Sequence, residues 1–333
     1  MADEIGPKEQ HIGQLVFPNP YTTLTDLEYL DTVRQENKVY RADIIDKLNG
    51  LDLPQGACLA LSGSDGKSEK HIQSLPELIL IIDSEEDRFL ALKVVEWYDQ
   101  KYGSGSYVKE FDTAAKGMPE VKVVFSDLPI SNTNELEFGG SGFSLYPDRI
   151  LNSSFIKGDE ESHLRAKIKT LQEMATTKIV RGLKDQIRDY KRPLHTGFYR
   201  GEAVFSVDDN EKTVSEYYDE HEGAYTVGFK IPFLRSVQRK LDILTAQLLR
   251  SGKISSIDEF AKLYPSNTLE RMSFLSEYVD ITGLNDLKNA YLWFLRAYHQ
   301  AQEEYKTTQK RIVAKFDMQE FIRHREAVLR FIS

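Results

Sequence analysis

Five consecutive branched residues, Leu78-Ile79-Leu80-Ile81-Ile82, constrain this chain more than any other feature of it. Side chains alternate between the two faces of a strand, so an unbroken apolar run of this length fits a strand covered on both sides. A second short apolar run, Ala57 to Ser62, is bounded by Gly56 and Gly63 and also reads as a buried strand, with a polar, turn-rich loop joining the two. Helical spacing flanks them. Thr25 caps a stretch in which Leu27, Leu30, Val33, Ile44, Ile45 and Leu48 recur until Asn49-Gly50. Asp87 to Tyr102 repeats the pattern with Phe89, Leu92, Val95 and Trp97, and Val121 to Phe125 returns to a strand before the break at Gly139, Gly140 and Gly142. The N-terminal half is therefore read as α/β.

From Asp159 the pattern becomes helical. Residues 160–191 form a long charged segment, and Gly197 to Phe229 alternates like strands around an Asp208-Asp209-Asn210 turn. Pro232 opens a helix with Phe233, Val237, Leu241, Leu244 and Leu248 on its apolar face. Helices are expected over 256–264, 268–279, 284 to about 315, and 317–332. The expected organisation is a flexible arm over 1–22, pinned at Leu15, Val16 and Phe17, then an α/β domain over 23–158. A mainly α-helical domain over 159–333 follows, with a β-rich insertion at about 197–230.

Composition narrows the chemistry. A hydrophobic fraction of 41% supports a large core, and a formal net charge of −9 opposes wholesale binding to nucleic acid or an anionic membrane. Cys58 is the single cysteine, so neither an intrachain disulfide nor a cysteine-built zinc site can form. No apolar run reaches the roughly 18 residues needed to span a bilayer, and the first residues carry no leader-like pattern. The expectation is a cytoplasmic protein with no membrane partner, nucleic acid not expected, and a protein partner expected.

The functional signal lies in the hairpin. Gly63-Ser64 follows the first strand, and Ser74-Leu75-Pro76-Glu77 leads into the second. A glycine-permitted turn can offer backbone N–H groups and a hydroxyl to phosphoryl oxygens, while carboxylates entering the next strand can hold magnesium. This arrangement resembles the signature of the polymerase-beta-type nucleotidyltransferases, in which Gly-Ser precedes a polar loop and an Asp-x-Asp pair. The sequences Tyr146 to Leu151 with Gly158-Asp159, and Phe229 to Gln238, resemble the body of the signal-transduction group that includes the protein-PII uridylyltransferases. The resemblance implies Mg2+ and a nucleoside triphosphate as cofactor and substrate. Residue by residue, it implies Gly63, Ser64 and Lys67 on the nucleotide, Glu77 as the surviving catalytic carboxylate, and Glu77 with Asp65 as metal ligands. Leu75 stands where the first Asp of the pair belongs, and a leucine cannot ligate magnesium. For a third carboxylate Asp127, Glu135 and Glu137 stay open.

These features imply a nucleotidyltransferase-fold protein with a degenerate catalytic centre that binds a nucleotide or a protein partner. Two alternatives stand beside it: an active magnesium-dependent enzyme transferring a nucleoside monophosphate, and a non-enzymatic helical interaction protein. The basic run Arg165, Lys167, Lys169, Lys178, Arg181, Lys184, Arg188, Lys191 and Arg192, interrupted by Glu173, Asp185 and Asp189, reads either as a solvated face laced with ion pairs or as a surface for a phosphate-rich partner.

Overall fold

A computed structural model describes residues 13–16, 26–69, 76–102, 121–125, 146–175, 180–185, 187–188, 204–206, 218–219, 224–228, 230–308, 312–315 and 318–333. In chain order the elements are β1 (Gly13–Val16), α1 (Asp26–Lys47), β2 (Ala57–Leu61), a single turn α2 (Gly63–Gly66), β3 (Leu78–Ile82) and α3 (Leu90–Tyr102). They continue through β4 (Val121–Phe125), α4 (Tyr146–Leu151), β5 (Ser154–Gly158), α5 (Glu160–Met174), β6 (Val204–Ser206), β7 (Tyr218–Asp219) and β8 (Ala224–Gly228). The rest are α6 (Ser236–Arg250), α7 (Ile257–Leu263), α8 (Thr268–Ser276), α9 (Leu284–Thr308), β9 (Ile312–Lys315) and α10 (Met318–Ile332). The fold is mixed α/β.

Contacts group the chain into two compact units, one comprising 30–189 and 238–284, the other 1–29, 190–237 and 285–333. This grouping differs from the division at 158 read from the sequence, because residues 238–284 join the unit that holds the hairpin.

In the hairpin's unit, four strands run in the order β4-β3-β2-β5. β2 pairs antiparallel with both β3 and β5, and β3 pairs parallel with β4. Every residue of β2 and β3 is buried, as the apolar runs require. Alternation then sorts them by face. Leu59, Leu61, Leu78, Leu80 and Ile82 pack with Ile44 and Leu48 of α1 and with Leu90, Val94, Trp97 and Tyr98 of α3. Cys58, Ile79 and Ile81 pack with Ile150 of α4 and Ala166 of α5. Helices cover both faces of these two strands, and each buried side chain contributes roughly 1.5–3 kcal/mol of transfer free energy.

The far end of the hairpin is fastened by polar contacts. Asp159 caps α5, its Oδ1 accepting from Glu161 N at 3.0 Å, and its Oδ2 accepts from Gly56 N at 3.1 Å. Arg165 donates to Asp83 at the end of β3 at 2.5 Å, and Ser162 donates to the same carboxylate oxygen at 3.3 Å. Arg165, 38% exposed, is thus ion-paired to a residue outside its own helix, in keeping with a solvated face laced with ion pairs.

The second unit holds a five-stranded sheet in the order β1-β9-β6-β8-β7. Two expectations change here. Residues 13–16 of the N-terminal arm form a strand that pairs parallel with β9, and the helix expected to reach about 315 ends at Thr308, its final stretch becoming that strand. The Ile312-Val313-Ala314-Lys315 stretch holds two β-branched residues, which suit a pleated surface better than a helix. The strands expected within 197–230 appear as β6, β7 and β8. The charged helix expected over 160–191 ends its first described stretch at Met174, and residues 180–185 are again helical. In the same unit Phe233 stacks on Phe294 at 3.9 Å between ring centroids, with Phe321 edge-on to both.

Gly158 closes β5 at φ +100°, and a Cβ placed on it would lie 2.3 Å from the Ala57 carbonyl oxygen. Gly158→Ala is expected to lose about 1–3 kcal/mol from the backbone strain alone, read as an earlier midpoint in urea unfolding.

Candidate functional site

The hairpin turn is built on glycine. Gly63 adopts φ +58°, and a Cβ there would lie 1.9 Å from Glu77 Oε2. The Glu77 carboxylate therefore rests on the Gly63 backbone, and Ser62 N donates to Glu77 O at 2.8 Å to close the turn. Gly66 is equally constrained, since its Cβ would fall 2.3 Å from the Asn152 carbonyl oxygen and 2.6 Å from that of Leu61. Gly63 and Glu77 are in contact, and Ser64 and Glu77 are both half-buried. Among the described residues the Ser64 hydroxyl has no hydrogen-bond partner.

The other two residues assigned to the site are turned inward. Asp65 is 4% exposed, and its Oδ2 accepts from Glu77 N at 2.8 Å. It clamps the two ends of the loop. Lys67 is buried rather than presented at the surface, and its ammonium donates to Gln238 Oε1 of α6 at 3.1 Å. A lysine in the dry interior needs an acceptor, and the neighbouring helix supplies it. Leu75, Lys70, Asp127, Glu135 and Glu137 lie outside the described residues.

Three further residues complete the loop's anchorage. Asn267 caps α8 through Oδ1, accepting from Leu269 N at 3.0 Å and Glu270 N at 3.3 Å, while its Nδ2 donates to Lys67 O at 2.9 Å. Glu69 Oε1 accepts from Thr268 N at 2.8 Å, adding a carboxylate to the positive end of the same helix. Ser154 donates to Gly66 O at 2.7 Å. Asn267 ahead of an apolar stretch is a legible cap signal, but its second use, gripping a loop 200 residues earlier in the chain, has no local signature.

Beneath the loop lies a buried ionic group. Arg271, with no solvent exposure, pairs through Nη2 with Asp242, donates through Nη1 to Asn152 Oδ1 at 2.7 Å and through Nε to Tyr264 OH at 3.0 Å. Arg239 Nη1 meets the other oxygen of Asp242 at 3.1 Å. Thr245 donates its one proton to Leu241 O at 2.9 Å, so Tyr264 donates to Thr245 across 2.8 Å and accepts from Arg271. Burial first, and then the Asp242 charge, raise the Tyr264 phenol above its ordinary range, which keeps it a donor.

Proton counting also fixes the state of His163. Ser153 donates its hydroxyl proton to Ile150 O at 2.6 Å, so the 2.8 Å contact with His163 Nε2 requires that nitrogen to carry the hydrogen. Burial, followed by the charges of Lys167 and Arg41, pushes the imidazole down to about 3.

Among the described residues no three or more His, Cys, Asp or Glu side chains gather closely enough to hold an ion. Asp65 spends an oxygen on the Glu77 backbone, leaving Glu77 as the half-exposed carboxylate at the turn. Magnesium is usually secured by more than one carboxylate together with substrate phosphates. The described donor set does not fit the paired-ion site that the resemblance implies. No described helix is long and apolar enough to cross a membrane. No protein-family model matches this sequence, and no curated protein matches it.

Two outcomes test this construction. Asn267→Ala removes the α8 cap and the grip on Lys67 O together, and is expected to cost at least the roughly 0.5–2 kcal/mol of a lost cap, measured by chemical denaturation. The folded imidazole of His163 releases its proton near pH 3 and the unfolded one near 6.5, so between these values the unfolded chain holds the extra proton. Stability attached to His163 is complete above pH 6.5 and is lost as the pH falls toward 3. His163→Gln is expected to flatten the acid limb of the stability curve across that window, and an unchanged limb would refute the assignment.

Proposed function

We propose that this protein is a nucleotidyltransferase-type protein with a degenerate catalytic centre, which binds a nucleoside triphosphate at the Gly63-Ser64 turn without transferring it. The observation that carries this reading is the packing of the Glu77 carboxylate on the Gly63 backbone. It sets one acidic side chain against the glycine turn, with the half-buried Ser64 next in the chain. The left-handed turn frees backbone N–H groups to meet phosphoryl oxygens, and the half-buried Ser64 hydroxyl adds a donor. The reading of the centre as degenerate rests on the donor set, because Asp65 holds the loop together and Lys67 is engaged by Gln238.

A second reading draws on the same anchorage. Lys67 and Glu69 are both committed to α6 and α8, which is what a loop serving only to join strands and helices would do. On this reading the protein is a non-enzymatic interaction protein.

Calorimetric titration of the full chain with ATP, CTP, GTP and UTP, each with and without magnesium, separates the readings. The proposal expects binding that is indifferent to magnesium and weakened about tenfold by Ser64→Ala, as loss of a hydrogen bond to a charged phosphate dictates. Binding that needs magnesium and is lost in Glu77→Gln would instead indicate an active transferase. No binding of any of the four nucleotides would leave the interaction protein.

A further inference from the structure

Lys67 combines a charge, an interior position and a partner that carries no charge. It is 7% exposed, and its ammonium donates to Gln238 Oε1 at 3.1 Å. An ammonium has three donors, and among the described residues this is the one hydrogen bond it makes. No described carboxylate pairs with it, whereas Arg239 and Arg271 of the same compact unit both meet Asp242. A neutral amide is a weaker partner for a cation than an anion is.

The loop is folded so that Lys67 and Ser64 share one helical turn. Gly66 N donates to Ser62 O at 2.9 Å, and Glu69 N returns to Ser64 O at 3.0 Å. The turn of α2 continues in right-handed conformation through Lys67, at φ −81° and ψ −8°. Ser64 and Lys67 therefore stand three residues apart on one face, with about 5–6 Å between Cβ atoms. A flexible four-carbon stem covers that separation by rotating its own bonds. The main chain stays fixed, because Asn267 Nδ2 holds Lys67 O at 2.9 Å. Ser68, the next residue, adopts φ +54°, a left-handed backbone that costs free energy in a residue other than glycine. Strain thus sits where the chain leaves Lys67.

We propose that Gln238 is a latch that withholds Lys67 from the triphosphate site, and that a triphosphate at the Gly63-Ser64 turn draws the ammonium off the amide onto its phosphoryl oxygens. The inference rests on the nucleotide reading above and adds its regulation. A phosphoryl oxygen is a charged acceptor and the Gln238 amide is not, so the exchange runs toward the nucleotide once it is present. The affinity of the wild type is then lowered by the fraction of molecules in which Lys67 is latched. The released ammonium supplies a cation and no ion-holding carboxylate, so the centre remains degenerate.

A double-mutant cycle on the full chain, titrated by calorimetry with ATP, CTP, GTP and UTP, tests the latch. Gln238→Met keeps the length of the side chain and removes the acceptor, and is expected to bind about tenfold more tightly than the wild type. Lys67→Met is expected to bind about tenfold more weakly, and the double variant to bind as Lys67→Met does, because nothing is left to hold. Without nucleotide, acylation of the Lys67 amine by a succinimidyl ester, read by peptide mass spectrometry, is expected to be faster in Gln238→Met. Equal affinity of the wild type and Gln238→Met for a nucleotide that binds both overturns the latch and leaves the nucleotide reading standing. A gain that persists in the double variant, or an unchanged acylation rate, overturns it as well. If none of the four binds the wild type or Gln238→Met, the nucleotide reading fails and the latch falls with it. Gln238→Ala provides the same comparison if the methionine variant does not fold.

Discussion

Burial of β2 and β3 on both faces is the constraint from which most of the hairpin's unit follows. Ten residues with essentially no contact with water can be kept there only if helices lie above and below, and α1 with α3 on one side and α4 with α5 on the other meet that need. The loop between the strands then starts from the interior. Polar groups left without partners at such depth are costly, so Asp65 turns one oxygen back to the Glu77 backbone, Lys67 reaches Gln238, and Glu69 reaches the first turn of α8.

This has a consequence for chemistry. The same hydrogen bonds that let a polar loop sit in a packed interior consume the side chains that a transferase of this type would spend on ions and phosphates. Gly63, Ser64 and Glu77 stay at the mouth of the hairpin, whereas Asp65 and Lys67 become structural. Charge is managed in a comparable way one layer deeper, where Asp242 lies between two guanidiniums. Removal of one partner from such a buried set typically costs about 3–5 kcal/mol, because the remaining charge cannot be rehydrated.

Much of the hairpin was legible before any coordinates. The Leu78–Ile82 strand has the bounds its apolar run suggested, the preceding strand ends one residue early at Leu61, and Val121–Phe125 is a strand as expected. Asn267, Ser256 and Asp159 each cap the helix they precede, as their residue types favour. The second unit was less legible. Ile312–Lys315 continues a helical pattern in sequence, and its strand conformation is stabilised by β1 and β6, which come from distant parts of the chain. Of the candidate site residues, Gly63 and Glu77 are in contact, while Lys67 looks identical in sequence to an exposed lysine on a polar loop.

The sequence by itself determined which segments must be buried, where turns must admit a left-handed backbone, and where helices begin, because each of these depends on neighbours within a few residues. Only the tertiary structure decided which polar side chains face inward and what they meet. Gln238 lies 171 residues from Lys67, and Thr268 lies 199 from Glu69. No local pattern encodes such a pairing. Whether a charge is solvated or paired depends on which distant segment packs against it, and that is settled only when the whole core closes.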